Sequence, residues 1–198
     1  MEADLQEIIK ASAMNPLKIR NVYVYGSRVY GTANEYSDYD VQIVGMSLLA
    51  RQELKLPKYN IHIHTHDVFK QDLMNHDPHC IECVYAPQNC VLQEKQNFGF
   101  ILDKNKMIPA YLQKSHDSWN KAKQKFLERD LLRGRKGIFH SIRILYFGNQ
   151  LKREGKITDW TQANYLWEEI KDSKEFRWDV FKKAYLPLKI KLEGELTE

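Results

Sequence analysis

The chain has 198 residues, of which 43% are hydrophobic and 28% are charged, and its formal net charge is +4. This length suits one domain or two small ones with a real hydrophobic core. The sequence contains no run of about 18 apolar residues, and its first residues lack the apolar core of a signal peptide. The three cysteines are odd in number and clustered, which disfavours a disulfide framework. We therefore expect a protein of a reducing compartment, cytoplasmic or nuclear, that is neither secreted nor membrane-spanning.

The first half of the sequence alternates between helical and strand-like patterns. These patterns predict a helix at 3–14, strands at about 20–25, 38–45 and 59–66, a short helical or irregular connection at 46–57, and a helix at 68–76 with Asp67 as its N-cap. Asp77-Pro78 then begins another helix with proline in its first turn.

The second half reads as helical throughout. Apolar residues at helical spacing predict helices at about 106–131, 135–154, 159–172 and 175–192. We therefore expect an α+β protein with a mixed β-sheet and flanking helices over residues 1–103. A helical C-terminal region over residues 104–198 is expected to close the cleft.

Charge is distributed unevenly between these parts. Residues 1–103 carry a net charge of −4, whereas residues 104–156 carry 14 Lys or Arg against 4 Asp or Glu, a net charge of +10. A basic segment of this kind suits an anionic partner, either RNA phosphates or the phosphates of a nucleotide.

Two carboxylates open the second predicted strand. Asp38 and Asp40 are two residues apart, so their side chains point to the same side. Adjacent carboxylates repel each other unless a cation lies between them, and Mg²⁺, which prefers oxygen ligands, suits that position. Gly26 and Ser27 follow the first strand, where glycine permits close approach of a ligand and the serine hydroxyl can bond a phosphate.

Together these segments resemble a known signature. Gly26-Ser27-Arg28-x-Tyr30-Gly31 followed by Ser37-Asp38-x-Asp40 is similar to the motif of the DNA polymerase β-like nucleotidyltransferase superfamily, in the form found in small predicted nucleotidyltransferases of bacteria, phages and large viruses. The resemblance implies that Gly26, Ser27, Arg28 and Ser37 bind the nucleotide and that Asp38 and Asp40 bind the catalytic metal, Mg²⁺ or Mn²⁺. It also implies that Lys136, His140 and Arg143, at i, i+4 and i+7 of one helix, contact the triphosphate or the acceptor, although an exposed basic stripe is the alternative.

The third strand departs from this signature. The superfamily supplies a third carboxylate there, whereas this strand alternates Asn60, His62 and His64 on one face. His62 is the matching position by spacing, so we expect it to be a catalytic residue and metal ligand. The alternatives are that His64 takes this role, that Asp38, Asp40 and the nucleotide suffice, that an imidazole does acid–base work, or that the histidines are simply solvated.

Further candidates lie after this strand. The resemblance makes Glu82 a candidate substrate-binding carboxylate, against an ordinary exposed helical glutamate. Cys80, Cys83 and Cys90 with nearby histidines lack the paired spacing of zinc modules, so we read them as buried or partly buried thiols.

These features predict a metal-dependent nucleotidyltransferase that moves a nucleoside monophosphate from a nucleoside triphosphate, with ATP the first choice, to a hydroxyl and releases pyrophosphate. The acceptor stays open between an RNA 3′ end, a small molecule and a protein hydroxyl. The competing hypothesis is a nucleotide- or RNA-binding module that has lost catalysis.

Overall fold

A computed structural model of the chain describes residues 3–47 and 49–198. The chain divides into two compact units, Met1–Ile101 and Leu102–Glu198. The first unit holds a mixed sheet with flanking helices and the second is helical. The predicted α+β class is confirmed.

The sheet of the first unit has five strands in the order β3-β4-β2-β1-β5. Their bounds are β1 Ile19–Tyr25, β2 Tyr39–Gly45, β3 Arg51–Lys55, β4 Tyr59–Thr65 and β5 Val91–Glu94. β2 runs parallel to β4, and the other neighbouring pairs are antiparallel. The Gly-Ser turn therefore follows β1, and Asp40 lies on the directly hydrogen-bonded strand β2, with Asp38 just before that strand.

One face of the sheet forms the hydrophobic core with helix α1, Leu5–Ser12. Asp4 caps this helix by accepting from the backbone N–H of Gln6 at 2.7 Å. The buried residues of this core are Ile8, Ile9, Ile19, Val22, Val24, Tyr39, Val41, Ile43, Tyr59, Ile61 and Ile63. Because side chains alternate along a strand, the polar residues between them project from the opposite face.

We call this opposite face the polar face. It is defined by eight residues: Tyr23, Tyr25, Asp40, Gln42, Glu53, Asn60 and His62, which are cross-strand neighbours in the register of the sheet, and His64, two residues further along β4. Helix α2, Ser27–Tyr30, follows β1 directly. Helices α3, His66–Met74, and α4, Pro78–Val84, bring Phe69 and His79 against this face, at Tyr23 and Tyr25.

Two local predictions in this unit were wrong. The segment 46–57, predicted as helical or irregular, contains β3, which pairs antiparallel with β4 over Arg51–Lys55. The N-cap of α3 is Thr65, whose hydroxyl accepts from Val68 N at 3.4 Å, whereas Asp67 lies in the first turn with a fully exposed side chain. A strand with one apolar residue has too little hydrophobic signal to stand out before its partner is known.

The second unit consists of helices α5, Lys104–Leu127, α6, Leu131–Glu154, α7, Asn164–Ile170, and α8, Trp178–Thr197. Gly134 and Gly137 lie inside α6, where a Cβ would come 2.8 Å from Phe126 and from Ala122 of α5, respectively. Glycine thus permits close packing of α5 on α6. Among the described residues, no helix combines the length and the apolar character that a membrane crossing requires.

Candidate nucleotide site

The turn after β1 depends on glycine. Gly26 has φ +76°, a left-handed backbone conformation, and a Cβ built on it would lie 2.2 Å from Oδ2 of Asp40. Ser27 begins α2 immediately after it, and the short helix ends at Gly31, also with φ +76°. The absence of a side chain at Gly26 therefore lets the Asp40 carboxylate lie directly against the Gly-Ser turn.

The two carboxylates occupy different environments. Asp40 is half-buried in β2, between Tyr25 of β1 and Asn60 of β4 in the strand register. Asp38 lies just before the strand and is exposed. The pair therefore combines a fixed carboxylate with one that stands at the solvent edge of the site.

Arg28 and Ser37 hold the loop that presents Asp38. The Arg28 guanidinium donates to the backbone carbonyls of Ser37 and Asp38 and lies 4.1 Å from the centre of the Tyr39 ring. The Ser37 hydroxyl accepts from the backbone N–H of Asn34 at 3.0 Å. Both side chains have these structural contacts, and their predicted role in nucleotide binding stays a prediction.

A line of polar contacts crosses the polar face from Asp40 to Glu53. Asn60 Nδ2 donates to Asp40 Oδ1 at 3.2 Å and lies 3.3 Å from His62 Nε2. His62 Nε2 is in turn 3.6 Å from Glu53 Oε1. The direct neighbour of Asp40 on β4 is thus Asn60, and His62 lies two register pairs further, beside Gln42.

The sequence pattern placed Asn60 on this face of β4 without a role and did not identify Glu53. Glu53 brings a carboxylate to the polar face from β3, on the far side of His62. Exposed and half-buried residues alternate along β3, but this pattern identifies a strand only once its partner strand, β4, is known.

Tyr25 and His79 cover the same end of the polar face. Their rings make an edge-to-face contact with centres 4.3 Å apart, and His79 Nε2 lies 2.9 Å from Oε1 of the buried Gln42. Burial, reinforced by Asp40, raises the pKa of Tyr25 above its ordinary value. The phenol of Tyr25 therefore stays protonated at neutral pH.

Glu82 is not an exposed helical glutamate. Its side chain is 5% exposed and accepts a hydrogen bond from the hydroxyl of Tyr30 in α2. This contact ties α4 to the helix that begins at Ser27. Its expected role in substrate binding stays a prediction.

Lys136, His140 and Arg143 lie on α6 in the second unit. Arg143 is 5% exposed, its Nε donates to Nδ1 of His140 at 3.4 Å, and its guanidinium is 4.8 Å from the centre of the Phe147 ring. Burial, followed by the charge of Arg143, lowers the pKa of His140. Of the three, only Lys136 is exposed, so the alternative of a solvated basic stripe does not describe this helix.

The donor set near the turn suits a hard divalent cation. Asp38 and Asp40 offer carboxylate oxygens, and Oδ1 of Asn60 is buried without a hydrogen-bond partner among the described residues. Mg²⁺ and Mn²⁺ prefer oxygen ligands of this kind. These oxygen donors fit a divalent metal, and the roles of Asp38 and Asp40 as its ligands stay predictions.

A Gly-Ser turn with Asp40 of the adjoining antiparallel strand against it, and Asp38 just before that strand, is the arrangement that the nucleotidyltransferase signature implies. Residues 5–98 match the family model described as a nucleotidyltransferase domain. The N-terminal part of the chain is therefore a nucleotidyltransferase domain of the DNA polymerase β-like superfamily, as the motif predicted.

Comparison with solved structures finds a nucleotidyltransferase-like protein from Exiguobacterium sibiricum. The two chains are 12% identical, the alignment covers 97% of this chain and 73% of the other, and the TM-score is 0.34. A likeness this distant supports no further conclusion. No curated protein matches the sequence.

Proposed function

We propose that the N-terminal domain transfers a nucleoside monophosphate from a nucleoside triphosphate, ATP in the first instance, to an acceptor hydroxyl. The observation that carries this proposal is the contact between the Asp40 carboxylate and the Gly26–Ser27 turn. In this arrangement a triphosphate held at the turn has two carboxylates beside it. Such a site suits phosphates that are bound together with a divalent cation.

Asp38 and Asp40 are the proposed metal ligands. Asn60 keeps the Asp40 carboxylate in place by donating to its Oδ1. Asp38 and Asp40 would hold a Mg²⁺ or Mn²⁺ ion, which would supply charge neutralisation at the phosphates and polarisation of the phosphorus–oxygen bond that breaks. The backbone and hydroxyl of Ser27 orient the triphosphate, so that much of the rate acceleration comes from positioning.

The proposed reaction is an in-line displacement. The acceptor oxygen forms a bond to the α-phosphorus as the bond from that phosphorus to the β-bridging oxygen breaks. Pyrophosphate leaves with the electron pair, and the acceptor loses its proton to a base or to water. We propose His62, whose Nε2 lies 3.6 Å from Oε1 of Glu53, as the imidazole that takes that proton.

We propose an RNA 3′ end as the acceptor to test first. The support is the net charge of +10 over residues 104–156, which suits contacts with a polynucleotide backbone. As part of the same proposal, residues 1–103 are the catalytic core and residues 104–198 are the region that closes the cleft. A protein hydroxyl or a small molecule is the other acceptor class that the assay must distinguish.

One observation favours a second function, nucleotide binding without turnover. β4, described over Tyr59–Thr65, carries Asn60 and His62 on the polar face and no carboxylate. Among the described residues of β2 and β4, Asp40 is therefore the one carboxylate, and Asp38 adds a second just before β2. Glu53 adds a carboxylate only beyond His62. A site that binds a nucleotide but reacts slowly is consistent with this composition.

Nucleotide transfer is tested by incubating the full chain with each α-³²P-labelled nucleoside triphosphate, Mg²⁺ or Mn²⁺, and total RNA or protein lysate. Asp40→Asn is the inactivating variant, and Asp67→Asn is the matched control because Asp67 is fully exposed and outside the site. We expect label in RNA for the wild type and for Asp67→Asn. For Asp40→Asn we expect a loss of 100-fold or more, on the order of losing a main charge-stabilising group.

Label in a protein band instead of RNA would move the acceptor to a protein hydroxyl. Absence of label with both metals, together with metal-dependent ATP binding in a calorimeter, would favour the binding module. Equal activity in wild type and Asp40→Asn would contradict the proposed role of the carboxylate.

A further inference from the structure

A second group of ligating side chains lies on the polar face, further along β4. His64 of β4, Asp72 of α3 and Cys80 of α4 each bring one ligand atom within 4.8 Å of the others. The sulfur of Cys80 is fully buried, and the side chains of His64 and Asp72 are 11% and 21% exposed. Three elements that are far apart in sequence thus converge on one point.

The nitrogen of His64 that faces this group lacks a normal partner. Nδ1 is buried, has no hydrogen bond among the described residues, and lies 3.9 Å from Oδ2 of Asp72, beyond hydrogen-bond reach. Buried polar atoms in native proteins are nearly always paired. An electron-pair acceptor between His64, Asp72 and Cys80 would satisfy this nitrogen.

Arg51 already fixes the carboxylate of the group. Its Nη2 donates to both oxygens of Asp72 at 2.6 Å. Each carboxylate oxygen has two lone pairs, so this contact leaves electron pairs for a further ligand bond. Such outer contacts commonly orient the carboxylates and imidazoles that bind metals.

We propose that His64, Asp72 and Cys80 form a zinc site that is separate from the nucleotide site. Imidazole, carboxylate and thiolate are the ligand types of Zn²⁺, and three protein ligands leave a fourth position for water. Bond lengths of about 2.0–2.3 Å require ligand atoms roughly 3.3–3.8 Å apart, so the group contracts by about 1 Å on binding. Bound zinc would cross-link α3 and α4 to β4 through these three ligands.

The protonation state of His64 suits this chemistry, whereas Cys80 must lose a proton before it can ligate. Burial lowers the pKa of His64, so its imidazole is neutral and able to ligate at neutral pH. Burial raises the pKa of the Cys80 thiol, so the thiol is protonated until metal arrives. Binding therefore forms a zinc–sulfur bond and releases the thiol proton to solvent.

The proposal goes beyond nucleotidyl transfer, since the proposed function assigns none of these three residues to the nucleotide; His64 was an alternative metal ligand in the sequence analysis. Its softer ligand set also differs from the oxygen donors of Asp38 and Asp40, which suit Mg²⁺ or Mn²⁺. This difference provides a readout that the nucleotide site cannot give. A thiolate bound to Co²⁺, the usual spectroscopic substitute for Zn²⁺, absorbs in the near ultraviolet, whereas a carboxylate site does not.

The experiment uses the full chain without a histidine tag, stripped with a chelator and titrated with Co²⁺. We expect a charge-transfer band that saturates at one Co²⁺ per chain and is displaced by Zn²⁺, together with a higher unfolding midpoint in Zn²⁺. Cys80→Ser and His64→Gln should each abolish or strongly weaken the band. Cys83→Ser, which removes a buried thiol on the same helix outside the group, and Asp38→Asn should keep it.

Wild-type protein that gives no such band would overturn the proposal, and this arm does not depend on the folding of any variant. A band that survives in folded Cys80→Ser and His64→Gln, or one that disappears in folded Cys83→Ser, would overturn it as well. Loss of nucleotidyl transfer in Asp38→Asn with the band intact would show that the two sites are independent.

Discussion

The carboxylate of Asp40 occupies the space into which a side chain at residue 26 would project. A Cβ on Gly26 would lie 2.2 Å from Asp40 Oδ2, far inside van der Waals contact, and the φ of +76° is itself unfavourable for other residues. The turn that begins α2 and the carboxylate of β2 therefore form one unit. Neither can be altered without displacing the other.

Gly26→Ala should reduce nucleotide binding and destabilise the N-terminal unit by about 1–3 kcal/mol, since the new methyl group displaces Asp40 and the backbone is strained. Gly99→Ala is the matched control, because Gly99 also has positive φ, +58°, but nothing lies within 4 Å of its Cβ position. Calorimetric ATP titration and chemical denaturation followed by circular dichroism measure both effects. Equal loss of ATP binding in the two variants would show that backbone strain alone, and not the contact with Asp40, is responsible.

Asn60→Asp should make the stability of the domain depend on divalent metal. The substitution replaces the amide that donates to Asp40 Oδ1 with a second carboxylate, so without a cation the two carboxylates repel each other. We expect a lower unfolding midpoint than wild type in chelator and a larger increase on adding Mg²⁺ or Mn²⁺. Thermal unfolding with and without metal provides the measurement, with Asn60→Leu as the variant that loses the hydrogen bond without adding charge. A midpoint of Asn60→Asp that is insensitive to metal would argue against a cation beside Asp40.

Two glycines in the second unit should respond to alanine in opposite directions. Gly137→Ala puts a methyl group 2.8 Å from Cβ of Ala122 and should destabilise the unit by about 1–3 kcal/mol through overpacking. Gly194→Ala, inside α8 with nothing within 4 Å, should stabilise it by about 0.4–1 kcal/mol.

Tryptophan fluorescence is the suitable probe for both variants, because all four tryptophans lie in the second unit. Denaturant midpoints of the two variants should fall on either side of the wild-type value. A Gly137→Ala midpoint equal to wild type would mean that α5 and α6 do not need their close contact.

His140 should make the second unit less stable at acidic pH. Its pKa in the folded protein lies below the ordinary value of 6.5, so the unfolded chain binds the proton more readily. The stabilising contribution is therefore present above pH 6.5 and is lost progressively as the pH falls below it. Tryptophan-detected denaturation from pH 7.5 to 5 should show a steeper decline for wild type than for His140→Gln, whose side-chain oxygen can accept from Arg143. Parallel declines for the two proteins would contradict the burial of a neutral imidazole.

The sequence by itself determined the strands and the turn that are specified by residues close together in the chain. The apolar runs before Gly26 and after Asp38 predicted β1 and β2, and the Gly26-Ser27 step after the first run predicted the turn. The alternation at 59–66 likewise predicted β4 and its two faces. These predictions depend on the hydrophobic period, on the turn residues and on the rule that side chains two apart on a strand point to the same side. Each is a property of a short segment, so it can be predicted without the tertiary structure.

Only the tertiary structure decided which side chains meet. β3 has one apolar residue and becomes a strand because it pairs with β4, and the register of β4 on β2 brings Asn60, not His62, beside Asp40. The convergence of His64, Asp72 and Cys80, and the burial of Arg143 within a basic segment, likewise depend on how helices pack. Register and helix packing are set by contacts between residues that are distant in sequence. The residue pattern of one segment therefore does not identify the segment with which it pairs.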